Sequence, residues 1–433
     1  MRCPSVRTTA VALFALAAAL QGCSTPSATA EASPAIDRPP ARAADVRVGP
    51  LIELLAVETS RDKVKVVAES ADQVRVLVAS TELQNVLELV VRPEGVVQRR
   101  VVVAQASPWG IDAAFDAAGR FHALIDTEHL VLEGGEWRAS ERTPWGAAGV
   151  TAMRPAFFVA GAPNLTWAFH VSGGDVGAPG RLEIWAAGGA AGAIMWPWFT
   201  HGKRAVVVAE TSTGFGPWVV LEPQAKLDTR ADALAADAGG AVNVRYTASG
   251  GGLFGGSQQR YAHIGAAVLG RGEAAIPGVF ETQVGEARYR GVIGGVAADS
   301  YSRALAADPE SGLALIGLSW LQRGDDWIVG PLELPLKVRP SNPDVRVAAA
   351  GGDAFHAIVS APAPGQKDSL FAWYLLLSEG AWSAPVQLGP TGVASFWGTG
   401  WDAYGVAGLP GGRAFVVWPT ERGIVGRWIE KGR

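Results

Sequence analysis

The sequence predicts an all-β fold: a β-propeller of seven blades, with six or eight also open, behind a disordered N-terminal tether. Three observations predict it. From Leu51 onward no long stretch keeps the 3.6-residue period of an amphipathic helix, and short apolar runs bounded by turn residues take its place. One local pattern recurs: a strand of small residues, an Asp/Gly turn, then an alternating apolar strand. The roughly 380 residues of the body, at about 45–60 per four-stranded unit, divide into six to eight units. A radial propeller leaves only short, protected edges, so it is the most economical home for such a repeat. A pair of β-sandwiches or a β-helix is the competing architecture.

Residues 1–22 read as an export leader. Arg2 and Arg7 make a positive start, Thr8–Leu20 is apolar, and the small residue Gly22 precedes Cys23. The unbroken apolar run Ala10–Leu20 has 11 residues, short of the about 20 that a membrane-spanning helix needs. The string Leu20-Gln21-Gly22-Cys23 resembles the lipobox of bacterial lipoproteins. That resemblance implies cleavage before Cys23, acylation of its thiol and new amino group, and a lipid bilayer as partner. Ser24 in place of Asp implies sorting to the outer membrane. An ordinary leader followed by a chance cysteine is the alternative. Residues 23–50 are rich in Ala, Pro and Ser with few large apolar side chains, so they read as a tether. The two cysteines are Cys3 and Cys23, so the body holds no disulfide.

Residues 51–433 are the predicted propeller. Its clearest strand-like runs are Val64–Ala68, Val74–Ala79, Val86–Val91, Val96–Val103, Ala205–Ala209, Leu313–Leu318, Phe371–Leu377 and Ala414–Trp418. The repeated turn ends at Gly119, Gly240, Gly312, Gly352 and Gly412. Aspartate bonds its own backbone and glycine accepts positive φ, so each occurrence predicts a hairpin. A second turn precedes Trp137, Trp327, Trp382 and Trp428, which suits a third and fourth strand per unit. The first body strand, Leu51–Val57, is expected to complete the last blade beside Ala414–Trp418 and Gly423–Ile429, joining the two ends of the ring.

The formal charge of −4, or −6 once Arg2 and Arg7 leave with the leader, argues against a general nucleic-acid binder. Gly250-Gly-Gly-Leu-Phe-Gly255 fits Gly-x-Gly-x-x-Gly, but no helix signal follows, so it reads as a loop. No phosphate loop, His-Glu-x-x-His, Gly-x-Ser-x-Gly or calcium loop is present, and no cofactor or metal is expected. Phe-His recurs at His122, His170 and His356 without ligand spacing, which predicts packed, hydrogen-bonded histidines.

Trp109, Trp145 and Trp397 each stand before a glycine in loop-like segments, with Trp401 close by. Exposed near the axis, these indoles would offer a flat binding platform; wedged between blades, they would be packing. The Asp-x-x-Gly hairpin with a later Trp resembles the loose repeats of the sialidase-like propeller superfamily, unevenly over residues 105–430. The stricter Ser-x-Asp-x-Gly-x-Thr-Trp box is absent; the nearest string, Ser212-Thr-Gly-Phe-Gly-Pro-Trp218, lacks the aspartate. The resemblance implies arginines that hold a substrate carboxylate, for which Arg154, Arg230, Arg303 and Arg346 stand in or before candidate inner strands. No residue matches that superfamily's Tyr–Glu nucleophile pair. The expected function is therefore a non-catalytic envelope module that binds a protein or glycan partner, with a glycan-acting hydrolase or lyase as the alternative.

Overall fold

The computed structural model describes residues 46–432 apart from 58–61, 107–109, 146–151, 161–164, 173–202, 212–213, 217, 222–226, 238, 251–256, 271–303, 319, 325, 330–331, 337–344, 367–368 and 393–402. The leader, Cys23 and the tether up to residue 45 lie outside the described residues.

Two short strands, β1 (Val46–Val48) and β2 (Ile52–Leu55), open the chain. Blade 1 follows as β3 (Lys63–Ser70), β4 (Gln73–Ser80), β5 (Asn85–Arg92) and β6 (Gly95–Ala104). Blade 2 is β7 (Ile111–Phe115), β8 (Phe121–Ile125), β9 (Glu128–Glu133) and β10 (Glu136–Ala139). Blade 3 is β11 (Ala152–Ala160), β12 (Leu165–Ser172), β13 (Lys203–Thr211), β14 (Gly214–Phe215) and β15 (Val219–Val220). Blade 4 is β16 (Leu227–Ala236), β17 (Val242–Gly250) and β18 (Ser257–Ile264), followed by one helical turn at Ala266–Gly270. Blade 5 is β19 (Leu305–Ala307), β20 (Leu313–Ile316), β21 (Trp320–Arg323) and β22 (Asp326–Val329). Blade 6 is β23 (Val345–Gly351), β24 (Ala354–Pro362), β25 (Leu370–Ser378), β26 (Ala381–Trp382) and β27 (Val386–Pro390). Blade 7 is β28 (Gly405–Leu409), β29 (Arg413–Thr420) and β30 (Gly423–Lys431).

These are seven separate antiparallel sheets. The first strand of each packs against the first strand of the next, from β3 through β7, β11, β16, β19 and β23 to β28, and β28 returns to β3. The chain is a seven-bladed propeller. Both β1 and β2 pair with β30, through Val46 opposite Lys431 and Ile52 opposite Gly426. The N-terminal strands thus supply the outer edge that blade 7 lacks. Trp137, Trp327 and Trp382 lie in fourth strands, whereas Trp428 lies in β30, a third strand, because its blade borrows its fourth from the start of the chain.

The repeated turn is the hairpin between first and second strands. Gly119, Gly240, Gly312, Gly352 and Gly412 all take φ between +60° and +81°, where a side chain is strained. Asp116 accepts N–H bonds from Ala118 and Arg120 at 2.9 and 2.8 Å, Asp237 from Ala241 at 2.9 Å, and Asp308 from Glu310 at 2.9 Å. The same local chemistry therefore reverses the chain in blades 2, 4 and 5.

Middle strands are buried on both faces, which explains their nearly unbroken apolar runs. Along β4, Val74, Val76 and Val78 pack with blade 7 while Leu77 and Ala79 pack with blade 2. Along β29, Phe415 and Val417 face blade 1 while Ala414, Val416 and Trp418 face blade 6. The first strands β7, β16, β19, β23 and β28 are rich in alanine or glycine because the blades converge there. A Cβ on Gly408 would run into the Ala349 carbonyl oxygen of β23. Gly408→Ala must therefore part blades 6 and 7, and it is expected to cost about 3 kcal/mol or more in denaturant unfolding. A loss below about 1 kcal/mol would show that the inner ring is slack.

Candidate functional site

The seven first strands leave a cavity of about 160 Å³ on the axis, walled by blades 1, 2, 4, 5, 6 and 7. That is well under the roughly 300–1,000 Å³ that encloses a drug-sized ligand. Its charged lining is Lys63 and Lys65 of β3, Asp112 of β7, Asp232 of β16 and Arg346 of β23, with Tyr404 just ahead of β28. Lys63 and Lys65 alternate with valines along β3, while Asp112 and Arg346 are the single charges of β7 and β23, so the two-residue period of a strand aims these side chains to the axial side.

The carboxylates are tied to cations. Lys65 Nζ lies 2.5 Å from Asp112 Oδ1, an ion pair that joins blades 1 and 2, and the Ala113 N–H donates to the same oxygen at 3.0 Å. Lys65 is partly exposed while Asp112 is buried, so the pair is anchored at the acid. Asp232 accepts from Arg230 Nε and Nη2 at 3.1 and 2.9 Å, and the Thr247 hydroxyl donates to its other oxygen. Arg346 Nη1 donates to the Val345 carbonyl at 2.8 Å. The wall thus presents paired charges of both signs, suited to hold a polar group of a ligand by charge-assisted bonds.

The sequence-predicted residues fall out unevenly. Arg346 reaches the cavity wall, and Arg230 acts one step back by holding Asp232. Arg154 lies on β11, a first strand, with its side chain outside the described residues, and Arg303 lies outside them altogether. Trp109, Trp397 and Trp401 are also outside them. Trp145 is corrected: it is 8% exposed and meets Trp167 and Phe169 edge-on at 5.6 and 5.1 Å, so it is part of the wedge between blades 2 and 3 and no platform. Sequence reasoning missed Lys63, Lys65, Asp112, Asp232 and Tyr404. Asp112, the one charge of β7 and just ahead of the repeated turn, was the available signal; Asp232 shares β16 with Asp228 and Arg230 and does not stand out.

The histidines are buried and hydrogen-bonded. His122 Nε2 lies 3.1 Å from Asp116 Oδ2 and its Nδ1 lies 2.9 Å from His129 Nε2; His129 Nδ1 lies 3.0 Å from the Arg142 carbonyl. His356 Nδ1 lies 2.8 Å from the Tyr374 hydroxyl. Burial pushes His129 down to about 4, helped by His122 beside it, and pushes His356 down to about 4. Burial also lowers His122, against the pull of the Asp116 carboxylate. The side chain of His170 lies outside the described residues.

No protein-family model matches this chain, and no curated protein does. Among solved structures, a protein of unknown function from Dyadobacter fermentans DSM 18053 matches 89% of this chain and 99% of its own, at 9% identity and a TM-score of 0.45. The polysaccharide lyase Uly1 matches 87% of this chain and 91% of its own, at 10% identity and a TM-score of 0.45. The Penicillium chrysogenum alpha-L-arabinanase complexed with arabinobiose matches 90% and 98%, at 10% identity and a TM-score of 0.40.

Proposed function

We propose that this chain is an envelope lipoprotein, held to a bilayer through acylated Cys23, whose propeller binds a protein or glycan partner at the axis without turning it over. The size of the axial cavity carries the reading. About 160 Å³ takes one side chain or one small polar group, so the bulk of any partner stays outside, against the face of the ring. In the sequence, Trp109 and Trp397 stand shortly before Gly110 and Tyr404, which line the cavity just ahead of β7 and β28. Lys65 and Arg346 supply the charged contacts.

The test is an array of acidic and neutral oligosaccharides and peptides probed with the full chain. Arg346→Ala and Lys65→Ala are expected to weaken capture at least tenfold, because each removes a charge-assisted bond of about 1.5–3 kcal/mol. Capture unchanged in both variants overturns the axial site. A second reading, a glycan hydrolase or lyase, has one observation in its favour: two buried carboxylates, Asp112 and Asp232, line the same cavity. Release of new reducing ends that Asp112→Asn or Asp232→Asn abolishes would replace the binding reading with it.

A further inference from the structure

Of the large apolar side chains exposed among the described residues, four gather on one rim: Leu51, Val96, Val97 and Val101, at 52%, 36%, 46% and 54% exposure. Three belong to β6, the outermost strand of blade 1, and β2 of blade 7 runs beside it. The register shows which way they look. Val96 stands opposite Val91, Arg99 opposite Leu89 and Val101 opposite Leu87. Directly opposed residues on antiparallel strands share a face. Leu87, Leu89 and Val91 pack in one core with Ile52 and Leu54 of β2. Val96, Arg99 and Val101 therefore continue that core outward past β2, where nothing described covers them, and Leu51 lies next along the chain from Ile52. The result is an apolar strip with one arginine at its middle.

The chain joins the ring at the same rim, through β1 on the outer edge of blade 7. Only 22 residues separate Cys23 from Val46. We propose that this strip rests on the lipid surface in which Cys23 is anchored, setting blades 7 and 1 edge-on to the bilayer. The proposal rests on the reading of Cys23 as a lipid anchor. Even fully extended, at up to about 3.6 Å per residue, the linker keeps the rim within about 80 Å of the headgroups. Leu51, Val96, Val97 and Val101 then enter the interface, while Arg99 extends its guanidinium toward lipid phosphates. A second copy fits the strip poorly, because a two-fold axis through it brings Arg99 near its own image.

The experiment sediments the chain from residue 23 onward, carrying Cys23→Ser and so free of the apolar leader, with vesicles of dioleoylphosphatidylglycerol. The unacylated chain is expected to pellet with lipid, and Val97→Glu/Val101→Glu to cut the bound fraction about tenfold, with Ile328→Glu on another blade leaving it unchanged. Both valines are about half exposed, so thermal unfolding of the double variant should match the parent. Failure of the parent to pellet, or equal pelleting of the double variant, overturns the proposal. So does a dimer without lipid that the double variant dissociates. Acylation is read separately, by incorporation of labelled fatty acid at Cys23 in cells, so the anchor and the strip can fail independently.

Discussion

Lowering the pH from about 7 to 4.5 is expected to remove several kcal/mol of stability, chiefly through His129 and His356. Both imidazoles are buried and held near 4 in the fold, below the about 6.5 of an unfolded histidine. Between those values the unfolded chain takes up protons that the folded chain refuses, so stability is full above about 6.5 and falls as the pH drops toward 4. A shift of this size corresponds to about 3 kcal/mol per histidine. His122, lowered mainly by burial, adds in the same direction. Asp116 extends the loss below pH 4: burial would raise its carboxyl, but the Arg120 N–H, His122 and the Arg120 guanidinium hold it below the usual range. Asp62, pushed up by burial, works the other way. The chain from Asp116 through His122 and His129 to the Arg142 carbonyl has an acceptor at each end and three gaps. Two neutral imidazoles bring two protons to it, so one gap lacks a bridging proton until the acid limit. Urea unfolding at pH 7.5 and 4.5 measures the slope. His356→Asn, which cannot titrate but can still face the Tyr374 hydroxyl, should flatten it. An unfolding free energy that stays level over this range would mean the histidines are more solvated than their packing indicates.

Replacing Arg75 by methionine is expected to destabilise the protein by about 3–5 kcal/mol, because it strands a buried charge. Glu88 stands in the middle of β5 at 1% exposure. Arg75 on β4 meets Glu88 with one nitrogen and holds Glu69 with Nε and Nη2 at 2.8 and 2.6 Å. Trp137 of blade 2 donates to the other Glu88 oxygen at 3.1 Å, and Arg100 stands 3.6 Å from it. The Arg75 guanidinium also lies over the Phe121 ring of blade 2 at 5.2 Å. Those bonds to Glu69 hold its carboxyl below the usual range even though burial alone would raise it. The arginine therefore ties blade 1 to blade 2 as well as neutralising its own sheet. Arg75→Met/Glu88→Gln should recover much of the loss, since the stranded charge is then gone, and the double-mutant cycle isolates the coupling. A single-variant loss under about 1 kcal/mol would mean that Arg100 alone suffices for Glu88.

The hairpins were legible because their causes are local. Asp116, Asp237 and Asp308 bond backbone groups within a few residues, and Gly119 or Gly412 takes a conformation that its own lack of a Cβ permits. Closure by the first strand was legible too: Leu51–Val57 reads as a strand ahead of the first unit, and Ile52–Leu55 within it pairs with β30. Trp145 was not legible: an indole before a glycine reads alike whether it meets solvent or the rings of Trp167 and Phe169, and its neighbours come from another blade.

Strand positions, turns and the repeat were thus determined by the amino-acid sequence itself, through turn chemistry and the two-residue period of a strand. The number of blades and the meeting of Lys65 with Asp112 were decided only in the tertiary structure. Those residues stand 47 positions apart, and they come together only because each blade's wedge of buried side chains sets the angle to the next until the ring closes on its axis.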